Sequence, residues 1–216
     1  MENETPRQDI NVYADILTRI QMCRLPPKKK VLDLGAGGML LREVYPYLSD
    51  ITFVDLPEAE NGTFQRLKHL WRKEPHYTFV ETSCEDLSMF EDKSFGLVVF
   101  SHVIEHLTDE QIEKTMKEVN RVMEQGGTFL IATPNIHGRK LVGKYMKNDC
   151  HEKEFSGEEL LDLVHKHGFK VVNEYPGIME VEKGNTDAHT ANIEPRMTKN
   201  LKNCYFLYFV CRRENE

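Results

Sequence analysis

An apolar run that breaks straight into glycine constrains this chain more than any other feature. Val31-Leu32-Asp33-Leu34 is followed at once by Gly35-Ala36-Gly37-Gly38. Such a run reads as a buried strand feeding a tight turn. Gly35 and Gly37 allow the backbone to take positive φ or to approach a ligand closely. A second apolar run, Ile51-Thr52-Phe53-Val54, ends in Asp55, which lies 22 residues beyond Asp33. In a parallel βαβ unit the strand ends converge on one edge of the sheet. The turn and both aspartates then line one crevice. A carboxylate closing the second strand is placed to accept hydrogen bonds from a ribose diol, and this implies a nucleoside-containing cofactor. A third segment, Leu97-Val98-Val99-Phe100, runs into Ser101-His102-Val103-Ile104-Glu105-His106-Leu107.

The rest of the chain alternates in the same way. Helical spacing is expected over Val12–Ile20, stopped by Pro26-Pro27, and again over Leu40–Leu48 and Phe64–Trp71. Tyr77–Val80 alternates as a strand, and Phe95–Ser101 is continuously apolar, as in a strand buried on both faces. Thr108-x-x-Gln111 has the form of a capping box opening a helix through Ile112, Met116, Val119 and Met123, with Gly126-Gly127 expected to close it. Thr128–Ala132 is the next strand. Ser156-x-x-Glu159 opens a helix carrying Leu160, Leu163 and Val164, with Gly168 as its C-terminal cap. Lys170–Tyr175 and Tyr205–Arg212 read as the last strands, with Cys204 and Cys211 on opposite faces. Strands alternating with helices predict a doubly wound α/β sheet, mostly parallel, with helices on both faces. One domain is expected over residues 1–216, with 1–29 as a helical lead-in. The long connections 134–155 and 177–203 are expected to hang over the carboxyl edge and cover an acceptor pocket.

A formal charge of −7 argues against broad, sequence-blind binding of nucleic acid, which depends on Lys and Arg neutralising phosphates. The one basic run, Lys28-Lys29-Lys30, reads as a solvated lead-in to the first strand. No signal peptide or membrane span is readable. Five cysteines without a C-x-x-C pair fit free thiols in a cytoplasmic protein.

Asp33-x-Gly35-x-Gly37, the acid Asp55 and the Leu97–Leu107 segment together resemble the class I S-adenosylmethionine-dependent methyltransferases, in their ubiquinone-biosynthesis type of branch. The resemblance covers roughly residues 30–175. It implies seven strands with the last antiparallel, and S-adenosylmethionine as cofactor, with S-adenosylhomocysteine as product. That family often carries a third glycine where this chain has Met39; here Gly38 sits one place earlier. The resemblance assigns Asp33, Gly35, Gly37 and Asp55 to the cofactor. It also assigns Ser83, Cys84 and Glu85 to the adenine end and Ser101 to the methionine end. Valine at position 35 is expected to block the ligand without touching the core. A nicotinamide cofactor is disfavoured, because its G-x-G-x-x-G spacing would require glycine where Leu40 stands.

His102, Glu105 and His106 fall at i, i+3 and i+4, one face of a helical turn if a helix begins there. Two imidazoles and a carboxylate can hold a divalent metal, with His151 or His137 completing the set. Some relatives bind a metal through an acid-x-x-Glu-His arrangement, but here His102 replaces the first acid. The sequence favours Glu105 and His106 packing the turn over a required metal. His102 and His106 are the catalytic candidates, with His102 nearest the transferred methyl. Methyl transfer to an O, N or C nucleophile of a small molecule is the expected activity. A metal-assisted RNA 2′-O-methyltransferase and a catalytically silent cofactor-binding protein are the alternatives.

Overall fold

The computed structural model describes residues 29–37, 50–57, 62–141, 151–174, 176–177, 197–202, 204 and 206–214. The expected helices over Val12–Ile20 and Leu40–Leu48, with Gly38 and Met39, lie outside these residues. Seven strands form one sheet: β1 (Val31–Leu34), β2 (Ile51–Asp55), β3 (Tyr77–Glu81), β4 (Phe95–Ser101), β5 (Met123–Pro134), β6 (Phe169–Val171) and β7 (Phe206–Arg213). Their spatial order is β3-β2-β1-β4-β5-β7-β6. All neighbours pair in parallel except β7, which runs antiparallel to β5 and β6. The order reverses at β1, between β2 and β4. In doubly wound sheets that switch point opens the ligand crevice at the carboxyl ends of the strands.

Strand alternation divides the core into two layers. Leu32, Leu34, Val98, Phe100, Phe129, Ile131, Leu207 and Phe209 face one side. There they meet Ile112, Met116, Val119 and Val122 of helix α2 (Asp109–Val122), and Leu160 and Val164 of a later helix. Val31, Phe53, Leu97, Val99, Leu130, Tyr208 and Val210 face the other, against Phe64 and Trp71 of helix α1 (Thr63–Trp71). Helices therefore cover both faces, as the alternating pattern requires.

Both capping boxes form. Thr108 caps α2 through Gln111, and Ser156 caps the Gly157–Lys166 helix through Glu159. Helix α2 nonetheless ends at Val122, short of Gly126-Gly127. Met123 already pairs with Phe95, and the register shifts between Phe95 and Leu97, so the two glycines sit inside β5 with Gly126 at φ +68°. The expected strand 170–175 is likewise shorter. After Val171 the Asn173 side chain takes over, donating to the Tyr208 carbonyl at 2.8 Å and accepting from Val210 N at 2.9 Å. Cys204 and Cys211 pack into the same layer rather than on opposite faces, because Cys204 precedes β7 and is not bound by its alternation. Lys29 is not simply solvated but pairs with Glu124.

The 134–155 connection is partly built. Helix α3 (Ile136–Leu141) follows Asn135, and Asn135 bridges to Phe155. The fully buried Asn135 amide donates to the carbonyls of Leu201 at 2.5 Å and Cys204 at 2.9 Å. This ties the end of the second connection to the start of the first. Helix α4 (Gly157–Lys166) then leads to His167, whose carbonyl accepts from Asn120 of α2 at 2.7 Å. Of the connections 134–155 and 177–203 expected to cover the acceptor pocket, residues 142–150, 178–196 and 203 lie outside the described residues.

The His167 imidazole is almost covered, 3.4 Å from the Glu113 carboxylate. Burial outweighs that attraction and lowers its pKa below the ordinary 6.5. The unfolded chain therefore takes up this proton at higher pH than the folded chain. The contribution is intact above the unfolded value and is lost as the pH falls through it. The denaturation midpoint should accordingly fall less in His167→Gln than in the parent between about pH 7.5 and about pH 5.5. Parallel pH profiles for the two proteins would refute this assignment.

Candidate active site

The glycine turn is held at the end of β2. Gly35 N and Ala36 N both donate to the Val54 carbonyl, at 2.9 and 3.0 Å. Gly37 N donates to Asp55 Oδ2 at 2.7 Å, and Leu56 N to Oδ1 at 2.8 Å. Gly35 and Gly37 both take positive φ, +68° and +41°. Among the described residues, a Cβ at Gly37 would meet nothing closer than the Gly35 carbonyl oxygen at 3.7 Å. The backbone is thus bare on that side, as close approach of a ligand demands. Asp33 is 7% exposed in β1, between Phe53 of β2 and Val99 of β4.

Beyond β3, Thr82 N donates to the Asp55 carbonyl at 2.9 Å, which brings the Ser83-Cys84-Glu85 loop to the same edge. Ser83 Oγ accepts from Glu85 N at 3.4 Å, a local turn. The Cys84 side chain points into the core, where its sulfur accepts from Thr115 Oγ1 of α2 at 3.4 Å. Burial pushes that thiol's pKa up. Only the backbone of Cys84 is left to meet a ligand. Among the described residues, buried Glu85 Oε2 has no hydrogen-bond partner, and neither has Ser101 Oγ at the end of β4.

After Ser101 the chain turns sharply. His102 takes φ +58°, and its N–H donates to the Ala132 carbonyl at 2.9 Å. A left-handed residue cannot itself be part of a right-handed helix, and the turn that follows is a short 3₁₀ segment over Ile104–His106 that leaves His102 outside it. The single helical face expected for His102, Glu105 and His106 therefore does not form. His102 Nδ1 lies 3.5 Å from Glu105 Oε1, and its ring meets Phe206 edge-on at 5.0 Å. His106 is exposed and packs against the buried His151 at 4.9 Å between ring centroids. Among the described residues, Glu105, His106 and His151 bring one ligand atom each to within 4.8 Å of one another, so these three, without His102, could share a cation. His137 stays on α3, its N–H bonded to the Asn135 side chain at 3.1 Å.

The family profile of a methyltransferase domain matches residues 7–174 of this chain. The chain belongs to the class I S-adenosylmethionine-dependent methyltransferases. S-adenosylmethionine is the cofactor of this methyltransferase. It is 28% identical over 145 residues to the methyltransferase YcgJ of Bacillus subtilis, which is 61% of this chain and 54% of that protein. It is 25% identical over 154 residues to a sarcosine/dimethylglycine N-methyltransferase of Halorhodospira halochloris, 70% of this chain and 50% of that one. The chain thus spans about half the length of these curated relatives. Its fold superposes on the 1,6-didemethyltoxoflavin-N1-methyltransferase of Burkholderia thailandensis with a TM-score of 0.65. That match has 18% identity and covers 94% of this chain and 79% of the other, whose crystal structure holds 1,6-didemethyltoxoflavin and S-adenosylhomocysteine.

The methyltransferase's crevice suits such a cofactor. An unsatisfied buried polar atom costs about 1–3 kcal/mol. The methyltransferase has two such atoms at this edge of the sheet, Glu85 Oε2 in the loop after β3 and Ser101 Oγ at the end of β4. A ligand rich in polar groups would satisfy both. The sequence did not single out Thr133, which is fully buried and donates to Glu105 Oε2 at 3.0 Å. The signal was present: Thr133 is a hydroxyl directly after the apolar run Phe129–Ala132, at the carboxyl end of a buried strand.

Proposed function

We propose that the chain transfers a methyl group from S-adenosylmethionine to an O, N or C nucleophile of a small molecule. Asp33, Gly35, Gly37, Asp55 and the Ser83–Glu85 loop hold the nucleoside part. Ser101 meets the methionine part, and His102 takes the acceptor's proton. The observation that carries this reading is the Asp55 carboxylate at the end of β2, bonded to Gly37 N and so joined to the glycine turn at the topological switch point. A sulfonium methyl already has a good leaving group when the cofactor is bound. The protein's task is then to align the acceptor and keep water out.

The acceptor class is supported from two sides. The Burkholderia and Halorhodospira relatives act on small molecules by name. A formal charge of −7 disfavours an extended nucleic-acid track. Among the described residues, no helix is long and apolar enough to cross a membrane. The test is calorimetry with S-adenosylhomocysteine, followed by methyl-donor turnover against small phenols, amines and RNA, with and without chelator. Binding of S-adenosylhomocysteine and chelator-insensitive turnover of a small molecule are expected. Turnover that stops with chelator and returns with Mn²⁺ would transfer the chemistry to a cation at Glu105, His106 and His151. Cofactor binding without turnover of any acceptor would leave a silent binding protein.

A further inference from the structure

We propose that Thr133 and Glu105 form an orienting relay that holds His102 with its proton on Nδ1, so that Nε2 is the base for an acceptor that must lose a proton. Glu105 and Thr133 are positioning residues in this scheme, and the acceptor class is a neutral O–H or N–H compound. The inference rests on the methyl-transfer reading above and extends it to a group of side chains that cofactor binding leaves unused.

Four observations converge on it. Glu105 is only 2% exposed, and a buried carboxylate needs partners to stay charged. It has them: Thr133 Oγ1 donates to Oε2 at 3.0 Å, and His102 Nδ1 lies 3.5 Å from Oε1. Burial alone would push the Glu105 carboxyl up, but the His102 ring beside it acts the other way and the net direction is below the ordinary range. A carboxylate accepts and cannot donate, so it selects the Nδ1–H form of the neutral ring.

The second observation is the other ring nitrogen. His102 Nε2 is covered and has no hydrogen-bond partner among the described residues. In the Nδ1–H form it is an acceptor, which is the state a base requires. The third is the backbone. A non-glycine residue at φ +58° costs about 1–2 kcal/mol, and such strain concentrates at functional positions. Here it breaks the run out of β4, and the imidazole comes to lie between the Glu105 carboxylate and the Phe206 ring. The fourth is the bracing of the relay. His102 N is bonded to Ala132, the residue before Thr133, and Lys153 N is bonded to the Glu105 carbonyl at 3.1 Å. Phe206 packs edge-on against the ring. Three separate chain segments therefore fix one imidazole.

The chemistry balances. The acceptor's O or N forms the bond to the methyl carbon as the carbon–sulfur bond breaks, and that electron pair remains on sulfur. The acceptor's proton passes to His102 Nε2. The resulting imidazolium is stabilised by the Glu105 carboxylate, and the proton leaves to solvent after product release. An acceptor without a proton to lose would gain nothing from this arrangement.

The test uses the full chain labelled with ¹⁵N-histidine and saturated with S-adenosylhomocysteine, together with turnover of a panel of small phenols, heterocyclic N–H compounds and tertiary amines. The ¹⁵N spectrum should show His102 protonated on Nδ1. Glu105→Gln, nearly isosteric, should lower kcat on the order of a hundredfold. KM and S-adenosylhomocysteine affinity should stay unchanged. Thr133→Val, a second variant that keeps the buried volume, should lower kcat in the same direction by a smaller factor. Phenols or N–H compounds should be methylated in preference to tertiary amines. If His102→Ala lowers kcat while both relay variants keep parental kcat, the relay is overturned and the methyl-transfer reading stands. A ring protonated on Nε2 in the parent, or exclusive methylation of tertiary amines, also overturns it. If His102→Ala turns over like the parent, His102 is no base and the relay falls with it. Absence of S-adenosylhomocysteine binding would instead strike the underlying methyl-transfer reading.

Discussion

Gly35→Val should damage the fold itself, lowering the melting temperature by roughly 10 °C or more. From the sequence alone this substitution reads as a block to the ligand that spares the core, and the structure corrects that. A Cβ at Gly35 would sit 2.2 Å from one methyl of Val103 and 3.1 Å from the other. Val103 belongs to the sharp turn after β4 and packs against the main core layer, so it has little room to withdraw. Overpacking of this kind costs about 1–3 kcal/mol. The left-handed backbone at φ +68° adds about 1–2 kcal/mol for a side chain with a Cβ. Set against a total stability of about 5–15 kcal/mol, the sum is a large fraction. The cleaner probe of the ligand face is Gly37→Ala: among the described residues its Cβ meets only the Gly35 carbonyl oxygen at an ordinary 3.7 Å, which leaves the left-handed backbone at φ +41° as its cost, about 1–2 kcal/mol. That variant should stay folded and lose affinity for S-adenosylhomocysteine. Thermal melts and calorimetry on the two variants decide the matter. A Gly35→Val protein as stable as its parent would show that Val103 yields freely and that this contact is unimportant.

The difference between the two glycines marks the limit of what the sequence shows. The strand-to-turn pattern at 31–37, the acid ending β2 and the capping boxes at Thr108 and Ser156 are local signals, and each appears where its pattern puts it. The antiparallel β7 came from family resemblance, since spacing carries no information on strand direction. What stays hidden is long-range. Nothing near Gly35 reports that Val103 will lie against it. Nothing in the i, i+3, i+4 spacing reports that His102 turns left-handed and leaves the helical face. Thr133 and Glu105 meet from different strands' ends, 28 positions apart. The glycines at 126 and 127 read as a helix stop because glycine is common there, yet β5 begins earlier by pairing with β4. In each case a tertiary contact outweighs a local preference.

Asp55→Ala should weaken binding of S-adenosylhomocysteine about tenfold or more, since a hydrogen bond to a charged acceptor contributes about 1.5–3 kcal/mol. The ribose assignment alone requires that much. The structure adds a second route to the same loss. Asp55 Oδ2 already accepts from Gly37 N at 2.7 Å and Oδ1 from Leu56 N at 2.8 Å. Removing the carboxylate therefore also frees Gly37 N, while Gly35 N and Ala36 N stay bonded to the Val54 carbonyl. The two routes separate in Asp55→Asn. Its amide keeps one acceptor oxygen, enough to hold Gly37 N, but it loses the charge and offers a donor where the second oxygen was. If the ribose diol is the main partner, Asp55→Asn should lose nearly as much affinity as Asp55→Ala. If bracing the turn is the main role, Asp55→Asn should recover most of the parental affinity. Equal affinity in the parent and in Asp55→Ala would remove Asp55 from the cofactor site altogether. Stability should change little in the asparagine variant, because each carboxylate oxygen accepts from a backbone N–H close by and the retained oxygen keeps one of those bonds. Affinity lost without stability lost is the signature of a residue that faces the ligand.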